Sequence, residues 1–271
     1  MPQNLLAIHG VDGFVVAVGE QGKILQFGRG MYEAREVPSP TLHDLRGVYV
    51  ESEWSAWAVG DAGTVLRFDG ERWTPQALAT RLGPLNAIWG DPVDGLWIGG
   101  ARAIINRHAT YGSVPYESDV EVRAIWGRGP DDLWLLCADR LLMHWDGEGC
   151  HRIPLPGDPD EEWSAVAGTP GGSTFIVGVS GFMLHYDGRR WEELPTDTTD
   201  LITGAVCTDS ALYVTTDRGQ VRQWDGRRWT TVAFSAFGAL RSIYVVNGVV
   251  WACGDRGVVI QYRPDEKSDG E

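Results

Sequence analysis

Leu85-Asn86-Ala87-Ile88-Trp89-Gly90 is one copy of a six-residue pattern that occurs seven times in this 271-residue chain. The first positions are Leu5, Leu45, Leu85, Val122, Trp163, Ile202 and Leu240, separated by 40, 40, 37, 41, 39 and 38 residues. A period of this length is one supersecondary unit, so the chain reads as an uninterrupted array of equivalent units.

Reading outward from the pattern, each unit holds four pieces, clearest in the second: LRGVYV (45–50), SAWAVG (55–60), GTVLRFDG (63–70) and RWTPQAL (72–78). They predict strands A to D. Strand B carries an aromatic at Trp57, Trp97, Trp134, Phe175, Tyr213 and Trp251, with Val16 breaking the column, and ends in Gly at 19, 60, 100, 178 and 254. Strand C closes on Phe27, Phe68, His108, Trp145, Tyr186, Trp224 and Tyr262. Four times Asp-Gly follows (Asp69-Gly70, Asp146-Gly147, Asp187-Gly188, Asp225-Gly226), which predicts a two-residue type I′ turn into strand D. Three residues after that Gly stands Trp73, Trp191 or Trp229. A helical alternative fails, because apolar residues lack the 3.6 period and turn residues recur about every ten positions.

One such meander cannot bury both of its faces, so the units must stack side by side. Strand A supplies a column of small residues, Ala7, Gly47, Ala87, Ala124, Ala165, Gly204 and Ser242, that lets seven backbones converge on an axis. The expected fold is all-β: a seven-bladed β-propeller of four-stranded antiparallel blades in one domain, 1–263, with an acidic tail at 264–271. The segment after Tyr262 has poor strand propensity, and the four residues before Leu5 are too few to cross a blade and form a strand. The last blade is therefore expected to have three strands.

Composition fits this reading. Hydrophobic residues make up 43% and charged residues 22%, enough apolar matter for a sizeable core, and 35 Gly with 13 Trp favour turns and aromatic strands over helices. A net charge of −14 would repel nucleic acid and anionic membrane surfaces, so neither is an expected partner. No apolar run is long enough to span a bilayer, and the N-terminus lacks the basic start of a signal peptide, so the expected location is the cytoplasm.

The order LxAIWG, DLWxVG, GxxxHWDGxxW resembles the WD40/YVTN/BNR-like propeller superfamily over residues 5–262, especially bacterial repeat proteins of the photosystem assembly-factor type. The resemblance implies a propeller that binds proteins, glycans or lipids; sialidase members carry SxDxGxTW boxes and an arginine triad, and here the box is reduced to DGxxW.

Candidate site residues are few. Arg46, Arg123 and Arg241 share the second position of strand A, and their units carry Asp61, Asp139 and Asp255 in the turn after strand B. They are expected to form ion pairs around the channel mouth, either as tethers or as a charged rim that selects a partner. Trp54 in the A-to-B loop stands outside every column, and the third unit replaces its Asp-Gly turn with HATYGSVPYES, which offers Tyr111 and Tyr116 as contacts. Trp89 and Trp126 fall in strand A and read as core. His144 and His185 share a strand C position with Gln and Arg elsewhere and lack a third ligand, so no metal is expected. Cys137, Cys150, Cys207 and Cys253 read as packed thiols without CxxC spacing. With no catalytic motif and no cofactor expected, the reading is a non-catalytic protein-interaction or scaffold module. A glycan-binding lectin is the alternative and a propeller hydrolase a third, less supported one.

Overall fold

A computed structural model describes residues 2–28, 33–77, 83–91, 95–101, 103–108, 112–117, 120–157 and 161–264, with 103–108 and 112–117 given by their backbone. The strands follow the repeat. The first unit holds β1 (Leu5–Val11), β2 (Phe14–Gly19), β3 (Ile24–Gly28) and β4 (Arg35–Glu36); the second holds β5 (Leu45–Ser52), β6 (Ser55–Gly60), β7 (Thr64–Phe68) and β8 (Trp73–Pro75). Next come β9 (Leu85–Asp91), β10 (Gly95–Gly100), β11 (Ala103–His108) and β12 (Gly112–Glu117), then β13 (Val122–Gly129), β14 (Asp132–Cys137), β15 (Leu142–Trp145) and β16 (Cys150–Ile153). The fifth unit contains β17 (Trp163–Gly168), β18 (Thr174–Gly178), β19 (Met183–Tyr186) and β20 (Trp191–Glu193). The sixth contains β21 (Ile202–Cys207), β22 (Leu212–Thr216), β23 (Gln220–Trp224) and β24 (Trp229–Phe234). Three strands complete the chain: β25 (Leu240–Val246), β26 (Val249–Gly254) and β27 (Val259–Tyr262).

Each unit is an antiparallel meander, giving six four-stranded sheets and the three-stranded β25–β26–β27. The innermost strands touch in chain order, and β25 touches β1, so the ring closes on itself. This is an all-β propeller with four-stranded antiparallel blades. No described helix is long and apolar enough to cross a membrane.

The core lies between sheets. Strand B is buried on both faces, as all six residues of β2 show, and each apolar cluster joins neighbouring sheets: Phe14, Val16 and Ile24 of the first pack on Leu45, Leu66 and Trp73 of the second. The last sheet packs Trp251 and Cys253 against Leu5, Ala17 and Phe27 of the first. B-strand aromatics meet the closing aromatic of the next strand C, as in Trp97–Trp145 (5.4 Å), Trp134–Tyr186 (5.6 Å) and Trp251–Phe27 (5.1 Å).

The turns correct one expectation. The Asp-Gly connections are not two-residue type I′ turns: Phe68 pairs with Trp73 across four residues, and Gly70 has positive φ (94°) while Asp69 does not. Instead Asp69 Oδ1 accepts the N–H groups of Glu71 (3.0 Å) and Arg72 (2.9 Å), and Asp146, Asp187 and Asp225 do the same two and three residues on. These bonds hold all four carboxyls below the ordinary carboxylate range. The type I′ geometry occurs between strands B and C: Gln21 (φ 54°) and Gly22 (φ 73°) are both left-handed, with Lys23 N–H bonded to Glu20 O at 3.0 Å.

Candidate functional site

The second residues of the inner strands ring one channel mouth, on the face where the B-to-C turns gather, around a cavity of about 410 Å3. Where this residue is small and polar it ties one sheet to the next. Thr203 Oγ1 donates to Leu240 O at 2.5 Å, Asn86 Nδ2 to Val122 O at 3.1 Å, and Ser164 Oγ to Ile202 O.

Where the residue is Arg, two of the three expected ion pairs form. Arg46 grips Asp61 through Nε (2.5 Å) and Nη2 (3.1 Å), and Arg241 Nε donates to Asp255 Oδ1 at 2.7 Å. The pair expected between Arg123 and Asp139 is absent. Its cause is a one-residue offset: the N–H groups of Asp61 and Asp255 bond the residue before strand A, and in the fourth unit that bond comes from Ala138. Asp139 stands one place later, left-handed at φ 55°, in the position of Ala62 and Arg256. Arg123 is therefore exposed with no side-chain partner among the described residues, and neighbouring Glu121 is engaged by Asn86 Nδ2 at 3.0 Å.

Deeper in, the channel encloses about 790 Å3. Its wall carries His9, Tyr49, Trp89, Trp126 and Tyr244, all from the fifth position of the repeat pattern. Trp89 and Trp126, expected in the core, are half-buried and line this channel. Three of these rings lean on the glycine of the next unit. A Cβ on Gly90 would sit 2.3 Å from the Tyr49 ring, and one on Gly168 2.4 Å from Trp126; Trp89 lies 3.1 Å from the equivalent point at Gly127. His9 Nδ1 accepts the Val50 N–H at 3.0 Å, which places the ring proton on Nε2, and Tyr49 and Tyr244 flank it at 5.0 and 4.0 Å. Burial lowers the His9 pKa to about 3, so the ring is neutral. Sequence reasoning missed this wall. The fifth-position column was its only signal, and that column reads equally as core.

Trp54 is 65% exposed, its ring over Gly70 on the opposite face. Tyr111 lies outside the described residues; Tyr116 sits in β12 opposite Ile104, where the backbone alone is given. The four cysteines are free, and burial pushes the thiols of Cys137 and Cys207 up to about 12 and those of Cys150 and Cys253 upward, so all are inert packing groups at neutral pH. Among the described residues no group of three His, Cys, Asp or Glu could hold a metal ion.

One constellation outside the channel resembles a nucleophile relay: Ser173 Oγ lies 3.3 Å from His185 Nε2, and His185 Nδ1 lies 3.7 Å from Glu192. The same positions of the fourth unit hold His144 and Asp132, bonded at 2.8 Å. The recurrence with an acid in place of the hydroxyl marks a polar tier that fastens strand C to strand B, not an activated serine.

The sequence matches no protein-family model and no curated protein. Among solved structures it is similar to YCF48 bound to D1 peptide, with a TM-score of 0.79 over 97% of this chain and 94% of that one, at 16% sequence identity. The propeller resemblance read from the repeats is thereby shown at the level of the fold.

Proposed function

We propose that this chain is a non-catalytic protein-interaction module, a subunit or adaptor of a larger assembly, that engages its partner at the arginine-bearing channel mouth. The observation that carries the reading is Arg123, an exposed cation without a side-chain partner among the described residues, between two arginines already held in place by Asp61 and Asp255. A fixed rim with one unsatisfied charge selects a negatively charged group on a partner rather than stabilising the ring, since exposed pairs contribute only about 0–1 kcal/mol. The YCF48 neighbour, solved with a peptide, supports protein binding as a use of this fold. The reading counts β25–β27 as a seventh blade and places the protein in the cytoplasm.

The test is affinity purification of the tagged protein from its native cell at near-physiological salt, beside the variant Arg46→Glu/Arg123→Glu/Arg241→Glu. A stoichiometric partner kept by the wild type and lost by a stably folded variant is the expected result. Retention by the variant would remove the rim from the reading. A glycan-binding alternative has one observation in its favour, the five rings lining the channel. A glycan array that lights up with wild type and dims with Trp89→Ala/Trp126→Ala would replace the protein partner with a sugar.

A further inference from the structure

Neighbouring sheets are sealed by a contact between rings, and one seam lacks it. The strand B aromatic meets the closing aromatic of the next strand C in Trp97–Trp145 (5.4 Å), Trp134–Tyr186 (5.6 Å) and Trp251–Phe27 (5.1 Å). Between the fifth and sixth sheets the corresponding residues are Phe175 and Trp224. They share an apolar cluster, yet among the described residues their two rings make no such contact. Side-chain size is the cause. Trp134 covers His144 of its own sheet at 4.4 Å and still reaches Tyr186. Phe175 covers His185, the equivalent histidine, at 4.6 Å and extends no further, while Trp224 packs on Trp229 of its own sheet at 5.5 Å.

The unfilled seam is a cleft of about 380 Å3. It opens on the face where the A-to-B loops and C-to-D turns gather, away from the arginine-bearing mouth, with residues 208–211 on one side and the turn at Asp225 and Gly226 beside them. Buried Phe175 and Leu212 and half-buried Trp224 give it an apolar side. Carboxylates come to it from both sheets: Glu192 from strand D of the fifth, Asp209 from the A-to-B loop of the sixth. No Lys or Arg is among the described residues that line it. Glu192 is shared with His185 Nδ1 at 3.7 Å and with the 76% exposed Arg190 at 3.6 Å. Asp209 is exposed and carries no hydrogen bond or ion pair among the described residues.

Carboxylates beside aromatic rings, with no cation of their own, complement a cation that has flat, weakly hydrated faces. Guanidinium is that group: it stacks on rings and forks onto carboxylates, whereas an ammonium keeps a tighter water shell. Anions are repelled by the two acids and by the net charge of −14. The same repulsion acts on the α-carboxylate of free arginine, which leaves arginine within a polypeptide as the fitting occupant. We propose that the cleft between the fifth and sixth sheets takes an arginine side chain of a partner protein, its guanidinium at Trp224 between Asp209 and Glu192 and its methylene stem on Phe175 and Leu212. The polar tier of Ser173 and His185 then has a further use, since His185 positions Glu192. This site lies on the face opposite the channel mouth and does not depend on it.

The probe is the blocked peptide acetyl-Gly-Arg-Gly-amide, titrated into the full-length protein with 15N-labelled indoles while the Trp224 N–H resonance, assigned by its loss in Trp224→Phe, is followed by NMR. A saturable shift with a Kd of about 1 mM is expected for this single side chain. The citrulline peptide, which keeps the shape and removes the charge, and free arginine should each bind at least about tenfold more weakly. Asp209→Asn/Glu192→Gln should weaken the arginine peptide about tenfold with Tm little changed. Phe175→Trp gives the fifth sheet the ring that Trp97, Trp134 and Trp251 supply elsewhere, and should fill the cleft and abolish the shift in a folded protein; if it fails to fold, the carboxamide variant carries the test. The Arg46→Glu/Arg123→Glu/Arg241→Glu protein should bind the peptide as the wild type does, so failure here and failure at the channel mouth are distinguishable. The proposal is overturned by absence of a saturable shift, by equal affinity for the arginine and citrulline peptides, or by undiminished binding to Asp209→Asn/Glu192→Gln or to folded Phe175→Trp.

Discussion

The pair Trp89-Gly90 shows how one motif serves two units at once. The ring at position five lines the channel, and the glycine at position six is bare because the ring of the preceding unit covers it; a Cβ at Gly90 would lie 2.3 Å from Tyr49. The sequence displays the column, yet the reason for it is an inter-sheet contact that no single repeat contains. His9, in the same wall, makes stability depend on pH. Its folded pKa is lowered to about 3 from 6.5, so the unfolded chain takes up the proton first. Stability is fully present above pH 6.5 and falls as pH drops toward 3. Thermal unfolding followed from pH 7.5 to 5, above the range of the four turn aspartates, should show a loss of up to about 2 kcal/mol by pH 5. His9→Asn should flatten that slope; an unchanged slope would mean that the proton goes elsewhere.

At the scale of the strand and its neighbours, position two of strand A behaves as a set of straps. Thr203 and Ser164 donate to the first carbonyl of the next inner strand, and Arg46 and Arg241 brace the turn of their own unit. Thr203→Val keeps the shape and removes the donor to Leu240 O, and should lower the urea midpoint by the equivalent of about 1–2 kcal/mol, while Arg123→Ala should leave it unchanged. Strand existence and order were legible because hydrophobic alternation and turn residues act within a few positions. The turn types were not. Asp-Gly satisfies both a type I′ turn and an Asp-capped four-residue loop, and the choice depends on how far apart the flanking strands must stand.

The whole ring closes through its incomplete sheet. Trp251 packs edge-on against Phe27 at 5.1 Å, and Asn247 Nδ2 reaches Asp12 at 2.7 Å across the chain ends. Every apolar cluster joins two neighbours, so opening one interface exposes both. Trp251→Ala should cost about 3–5 kcal/mol and shift a single cooperative transition by circular dichroism and tryptophan fluorescence alike. A separate early transition for the last sheet would show that the ring tolerates opening there.

The sequence by itself determined the seven repeats, the strand order within each and the small-residue column at the axis. All of these follow from spacing, side-chain volume and local turn chemistry. Only the tertiary structure decided that, among the described residues, Arg46 and Arg241 are paired and Arg123 is not, and that five aromatic rings face a channel. Those outcomes depend on distances between groups in different strands and sheets. A one-residue offset in the turn at Asp139 swings a carboxylate out of reach while leaving the repeat pattern almost unchanged.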